Sequence, residues 1–406
     1  MAINKEQNKL NVPHLRFPEF HGEWEKCKLG ELAVKVGSGS TPKGGNAVYT
    51  TSGHCFVRSQ NVGMGHLILN DIAYIDELTH QKQKSTELRT NDVLLNITGA
   101  SIGRTALATE EINGGNVNQH VCIIRTNGNV EPSFICDYIQ TSKIQKYIQS
   151  LQTGGSREGL NFEQIRSFPI NIPTVEEQVK IAKLLSLINE RIATQSKLIE
   201  DLKKLKSAII DYAINSLDTD FAKFSSLYEM VGEGGTPTTS NASFYDNGKI
   251  PFVKIDDLKK KYLTENKDFI TELGLQKSSA WLVPTRSILF SNGATIGEIT
   301  ITTYPVCTKQ GILGIVPKPN IDVEFLYYFM SSSYFRKAVS RIVTEGTMKT
   351  AYLKDINNIR CPIPKKEKQL DIAKMPSALN FKIDFEQSIL KLFGSQKQYL
   401  LRQMFM

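Results

Sequence analysis

A chain of 406 residues exceeds one ordinary domain and suits two or three. Its 40% apolar and 22% charged residues can fill real cores, which excludes a disordered chain. Lys and Arg outnumber Asp and Glu by eight, and the pI is near 9.0, a balance that favours a polyanionic partner without identifying one.

The first eleven residues are polar and mixed in charge, unlike a signal peptide. No run of about 18 apolar residues occurs, so no membrane contact and a cytoplasmic location are expected. Six cysteines, at 27, 55, 122, 136, 307 and 361, form no Cys-x-x-Cys pair. Zinc and redox motifs need closer spacing, so no metal is expected and the thiols should stay reduced.

Residues 20–165 hold short apolar runs rich in β-branched side chains, such as Val93-Leu94-Leu95-Asn96-Ile97, closely punctuated by Gly, Pro and Asn. This predicts an irregular α+β domain within 1–170, with a short helix from Pro132 to about Ser150. Thr174 and Glu177 then make a Thr-x-x-Glu pattern directly after Pro173, a helix start. Apolar residues follow at Ile181, Leu185, Ile188, Ile192, Ile199, Leu202, Ile209 and Ala213, with Gln195 and Lys206 at the two remaining seam sites. That heptad predicts a coiled-coil-like helix over 171–216, reaching roughly 60 Å at 1.5 Å per residue.

A second α+β domain is expected over 217–362, with a strand at Ile299-Thr300-Ile301-Thr302 and a helix from Val323 to about Arg341. A second long helix over 363–406 carries the seam Ile372, Leu379, Ile383, Leu390, Phe393, Leu400 and Met404, with Lys397 where the first has Lys206. Pro376 falls on a seam site, and an interior proline costs about 3 kcal/mol or kinks a helix, so a break or late start near Met375-Pro376 is expected. Gly394 should loosen the same helix. A narrow apolar seam needs a partner stripe, and the simplest one is the other copy.

The chain is internally duplicated. Ile172-Pro173 aligns with Ile363-Pro364, 191 residues on, and the register holds through Glu176 with Glu367, Gln178 with Gln369, Ile181-Ala182-Lys183 with Ile372-Ala373-Lys374, and Lys206 with Lys397. Upstream, Gly39-Ser40-Thr41-Pro42 answers Gly234-Gly235-Thr236-Pro237, and Phe56-Val57-Arg58 answers Phe252-Val253-Lys254. Thr98-Gly99-Ala100-Ser101-Ile102-Gly103 answers Asn292-Gly293-Ala294-Thr295-Ile296-Gly297, and Gln119 answers Gln310.

These motifs, in this order and twice, resemble the specificity subunit of type I restriction-modification systems over essentially the whole chain. So does the opening Pro13-His14-Leu15-Arg16-Phe17, with Trp24-Glu25 and Lys28-Leu29-Gly30-Glu31-Leu32. Pro376, and Lys365-Lys366 where the first helix has Thr174-Val175, depart from the family pattern. The resemblance implies two tandem α+β target-recognition domains, separated by two long, mutually packed helices in a pseudo-twofold arrangement. It implies that each domain reads one half of a split, asymmetric site in double-stranded DNA, while the helices set the gap and dock two methyltransferase subunits. Restriction/translocase subunits complete the implied complex. S-adenosylmethionine, ATP and Mg2+ are expected on those partners and no cofactor on this chain.

Base edges are read by paired donors and acceptors, and register is held by donors to phosphate. In the first domain the candidates are Thr41, Lys43, Arg58, Gln60, Asn61, Ser101, Arg104, Asn118, Gln119, His120 and Arg157. In the second they are Thr236, Lys254, Asp256, Asp257, Asn292, Thr295, Lys309, Gln310 and Lys349. A self-contained enzyme is disfavoured. The chain lacks Pro-Pro, hence the Asn/Asp-Pro-Pro-Tyr/Phe loop of an amino-methyltransferase, and has no Gly-x-x-x-x-Gly-Lys-Ser/Thr phosphate loop. Glu265-Asn266-Lys267 is a lone nuclease half-motif. A duplicated protein-binding scaffold is the remaining alternative, and salt dependence separates it from a phosphate-contacting protein.

Overall fold

The computed structural model describes residues 11–44, 48–152, 159–293, 295–343 and 349–406. The β-branched runs form the sheets expected of them. In the first domain, Val93–Asn96, buried on both faces, lies inside a four-stranded antiparallel sheet between Val121–Thr126 and Thr105–Leu107, with Ala33–Ser38 at the other edge. A smaller sheet places His54–Val57 between antiparallel Ala73–Ile75 and parallel Asn116–Val117. The second domain repeats this plan and adds a fifth strand to the larger sheet, Tyr262–Leu263, which pairs parallel with Ile301–Thr302. Ile288–Ser291 lies between Ile312–Pro317 and Ile299–Thr302, and Ile250–Val253 between Asp268–Ile270 and parallel Cys307–Thr308. Even a bulge recurs, between Ala33 and Lys35 and between Tyr228 and Met230.

Each helix expected in these domains is a pair. Pro132–Gln140 is followed by Ser142–Ser150, and Val323–Ser331 by Ser333–Ile342. The break falls at a hydroxyl residue in extended conformation, Thr141 or Ser332, whose side chain accepts from the amide of Ile144 or Phe335 and starts the next helix.

Val175–Asn215 and Lys366–Gln403 are the two long helices. The chain divides into two units, Met1–Gln195 with Ile389–Met406, and Ser196–Ser388, so each unit is one domain plus part of both helices. In the first unit, Ile181, Leu185 and Ile188 share a core with Leu400, Leu401, Met404 and Phe405 over Trp24, Phe134 and Tyr138. In the second, Ile210 and Ile214 join Ile372 and Ala373 over Phe224, Phe325 and Phe335, and Lys206 Nζ donates to Asn380 Oδ1 across the helices at 3.0 Å. The helix segments therefore pack on each other, as the matching seams require.

Two details of the helices differ from the pattern reading. At the far end of the first helix, Ile210 and Ile214 are buried, while seam residues Ile209 and Ala213 are only half-buried. A straight helix drifts about 20° per heptad, so four heptads after Ile181 the inward face has moved by nearly one residue. Leu202, Leu379, Leu390 and Phe393 are half-buried, whereas Ile199, Ile383 and Leu400 are buried. The expected break at Pro376 is absent: the second helix starts at Lys366 and runs through the proline to Gln403. Tertiary packing overrides the local penalty here, because Ile372 and Ala373 before it and Ser377 after it are all anchored to the second domain.

The repeated Glu-x-Gln motif is a latch between each domain and its helix. Buried Gln178 accepts from the Glu131 amide at 2.9 Å and donates to the Pro173 carbonyl at 2.9 Å. Buried Gln369 accepts from the Asp322 amide at 2.7 Å and donates to the Pro364 carbonyl at 2.8 Å. Gln178→Ala strands a buried amide and carbonyl, so chemical denaturation of the first unit should show a loss of ~1–3 kcal/mol; a change below ~0.5 kcal/mol would contradict the latch.

Candidate nucleic-acid interface

In the first domain the polar candidates gather where the Gly-x-Thr-Pro loop, the glycine turn and the 118–120 turn converge. Gly39 allows that convergence, since a Cβ there would lie 1.7 Å from the Val117 carbonyl oxygen. Gly234 is its counterpart, 2.3 Å from the Thr308 carbonyl oxygen on the same measure. With its loop seated, Thr41 donates its amide (2.8 Å) and its hydroxyl to Gln119 Oε1. Gln119 Nε2 lies 3.3 Å from His120 Nε2, and His120 Nδ1 lies 2.6 Å from Thr98 Oγ1. Gly39→Ala should unseat this loop and lower first-unit stability by ~2–3 kcal/mol in thermal melts; an unchanged melt would show that the close approach is not required.

Beside this chain lies an open cleft lined by Ser59, Gln60, Thr98, Ser101, Arg104 and His120. Candidates scattered over sixty residues of sequence thus share one concave surface. The exposed Arg104 side chain makes no ion pair among the described residues. Lys43 is exposed on the neighbouring loop. Arg58 is held back: its guanidinium donates to the Asp71 carbonyl at 2.9 Å, stands 3.4 Å from the Asp71 carboxylate and lies over the Tyr49 ring. Gln60 Nε2 donates to the same carboxylate at 2.7 Å. Asp71, which orients both, was missed in the sequence because nothing in its spacing marks it.

Two first-domain candidates are placed as scaffold. Asn61 is buried, accepts from the Arg58 amide at 2.9 Å and donates to the Ile68 carbonyl at 2.9 Å, so both ends of its amide shape the loop. Asn118 is buried and accepts from the His120 amide at 3.0 Å. Arg157 lies outside the described residues.

The second domain keeps the backbone plan with other side chains. Thr236 Oγ1 accepts from the Gln310 amide at 3.4 Å, and Lys309, Gln310, Thr295 and Lys349 are exposed. Lys254 pairs with Asp268 at 2.8 Å, and Asp256 with Lys259 at 3.2 Å. Asp257 accepts from the Lys254 amide at 2.9 Å, as Asn61 does from Arg58, and so has the same turn-closing role.

Asn292 does not stand opposite Thr98. Its amide donates to the Gly311 carbonyl and its carbonyl accepts from Ala351, as Ile97 does with His120 and Leu160. It is a buried strand-end residue whose Nδ2 donates to the Ala351 carbonyl at 3.3 Å. The physical reason is loop length. Gly103 closes back on Asn96 across seven residues, Gly297 on Ser291 across six, so the second turn is one residue shorter.

The fold is a duplicated α+β chain whose polar turns are carried on repeated sheets and tied to paired helices. The model of the type I restriction modification DNA specificity domain matches it twice, at residues 21–204 and 219–392, and the chain belongs to that family. It is similar to the putative type I restriction enzyme MjaX specificity subunit of Methanocaldococcus jannaschii, with 22% identity covering 95% of this chain and 93% of the relative. It is also similar to the HindI specificity subunit of Haemophilus influenzae, with 20% identity over 80% of this chain and 86% of that one. Its fold matches the crystal structure of the type I restriction-modification S subunit from M. genitalium with a TM-score of 0.58 at 16% identity, covering 97% of this chain and 99% of the other. The protein is therefore a specificity chain with two tandem target-recognition domains, a non-catalytic component of a type I restriction-modification complex. Among the described residues, no group of three or more His, Cys, Asp or Glu side chains is placed to hold a metal, and no helix is long and apolar enough to cross a membrane.

Proposed function

We propose that each domain reads one half of a split, asymmetric DNA site through the turns described above. In the first domain the contacts come from Thr41, Lys43, Gln60, Ser101, Arg104, Gln119 and His120, with Arg58 released from or oriented by Asp71. In the second they come from Thr236, Lys254, Asp256, Thr295, Lys309, Gln310 and Lys349. The observation that carries this reading is one scaffold bearing two different sets of side chains: an arginine, a glutamine amide, a histidine and hydroxyls line the first cleft, while aspartates enter the corresponding turn of the second domain. Arg and Gln suit purine edges, and Asp accepts from cytosine N4, so two unlike half-sites follow. The paired helices set the gap and dock two methyltransferase subunits. Those partners and the translocase subunits hold S-adenosylmethionine, ATP and Mg2+, and the assembly works in the cytoplasm.

Exchange of residues 20–165 for the equivalent part of another specificity chain should alter one half of the methylated motif and leave the other half and the gap intact. Methylome sequencing of a strain carrying the chimaera with its methyltransferase reads this directly. A change in both halves would refute independent reading.

A further inference from the structure

The two recognition domains are fastened to the helices by opposite devices. In the first unit the fastening cation comes from the helix. Lys397 is buried, and its Nζ donates to Gln140 Oε1 at 2.9 Å, while Gln140 Nε2 donates to Asp137 Oδ1 at 3.0 Å. Desolvation pushes the Asp137 carboxyl up to about 7 against the pull of Lys397 and Gln140, and burial likewise draws the Lys397 ammonium below its ordinary range. The domain leaves room for this side chain at Gly65, where a Cβ would lie 2.5 Å from Gln140 Oε1 and 2.8 Å from Lys397 Nζ. Gly65 also has a positive φ of 81°.

In the second unit the cation comes from the domain. Gly65 lies four residues after the 3-10 turn Ser59–Asn61, and Lys261 lies four residues after the matching turn Ile255–Asp257. Lys261 is buried, and its Nζ donates to Glu324 Oε2 at 2.8 Å and to Ser377 Oγ, on the second long helix, at 2.9 Å. Ser377 itself donates to Glu324 at 2.6 Å, and the ammonium lies over the rings of Tyr262 and Tyr328 at 4.7 and 4.8 Å. Burial alone would raise the Glu324 pKa, but hydrogen bonds from Lys261, Ser377 and Tyr262 hold it down to about 2. Lys206, the helix lysine equivalent to Lys397, instead reaches Asn380 of the other helix. Each unit thus holds one buried ammonium that joins domain to helix, supplied by the helix in the first and by the loop in the second. Hydrophobic contact alone is non-directional, whereas a buried ammonium must meet fixed acceptors, so each cation ties its domain to the helix in one orientation.

Resting on the split-site reading, we propose that Lys397 and Lys261 are positioning residues. Each clamps one recognition domain to the long-helix segment of its own unit, and together they set the gap length the chain accepts between half-sites. The test uses the full chain with its methyltransferase subunits and duplexes carrying the methylated motif at its native gap, or with the gap one base pair shorter or longer. Wild type should prefer the native gap strongly. Lys397→Met and Lys261→Met should each reduce that preference about tenfold while the bases recognised in both halves stay the same, a pattern that mere loss of folded protein does not give. Where a single variant fails to fold, D137N/K397M and E324Q/K261M remove both charges and are read in its place. An unchanged gap preference in binding-competent variants would overturn the clamps. A wild-type chain with no split motif would sink the split-site reading instead. The clamps would then be judged by hydrogen exchange, which should quicken over residues 62–68 in the Lys397 variant alone, and unchanged exchange there would overturn them.

Discussion

Arg16→Met should destabilise the first unit by ~3–5 kcal/mol, because it leaves a buried carboxylate without its cation. Glu177, in the first turn of the first long helix, is fully buried and takes a two-point bridge from Arg16, Nε at 2.8 Å and Nη2 at 2.7 Å. The same guanidinium donates to the carbonyls of Gly22 (2.6 Å) and His21 (3.1 Å), which folds the 13–24 segment over the helix start. Two neighbours reinforce the lid: the Leu15 amide donates to the Gln403 carbonyl at 2.9 Å, and Lys180 pairs with Glu19 over the Phe17 ring. The second helix carries Lys368 where the first has Glu177, so this bridge is not duplicated. The loss should therefore fall on one unit. The chain has two tryptophans, Trp24 in the first unit and Trp281 in the second, so urea unfolding followed in a Trp281→Phe background reports the first unit alone. A double variant, Arg16→Met with Glu177→Leu, should recover much of the loss, since replacing both charges by apolar groups removes the stranded ion. A loss below ~1 kcal/mol for the single variant would mean that Glu177 finds water once Arg16 is gone.

The repeated backbone plan was legible from sequence, whereas side-chain commitments and the unbroken course of the second long helix through Pro376 were not. The heptad of Ile181 to Ile209, the glycine turns and the Gly-x-Thr-Pro loops carry their structure in local spacing, and the sheets recur in the same register. Gly39 and Gly234 read as turn formers, but their requirement is a long-range approach to Val117 and Thr308, which no local pattern encodes. Glu177 read as half of a capping box, yet its carboxylate is taken by Arg16, 161 residues upstream. Pro376 misled because its cost is local while its compensation, through Ser377, Glu324 and Lys261, is assembled from three separate stretches. Asn61 and Asn292 have the right chemistry for base reading and are consumed by backbone. A polar residue type indicates what a side chain can bond. Only the surroundings decide whether that capacity still faces outward.

That distinction selects Arg104 for the sharpest functional test. Arg58 and Gln60 share Asp71, and Asn61 is buried, whereas Arg104 is exposed in the cleft and makes no ion pair among the described residues. Its backbone is fixed from below, since its amide donates to the Ser101 carbonyl at 3.1 Å and its carbonyl accepts from Asn96 at 2.8 Å. A pre-set backbone with an uncommitted guanidinium suits either a bidentate guanine contact or a phosphate contact, and the two have different signatures. As a guanine contact, Arg104→Ala should weaken binding by ~1–3 kcal/mol and relax one position in one half-site. As a phosphate contact it should weaken binding to all sequences alike and reduce the slope of log K against log salt by about one. Arg104→Lys separates them further, because a point charge keeps a phosphate but loses the two-point fit to guanine. In both cases the melting temperature should hold, as the side chain is exposed and makes no ion pair among the described residues. Binding by Arg104→Ala equal to wild type across sequence and salt would remove this cleft from the DNA interface, and with it the placement of the first reading face.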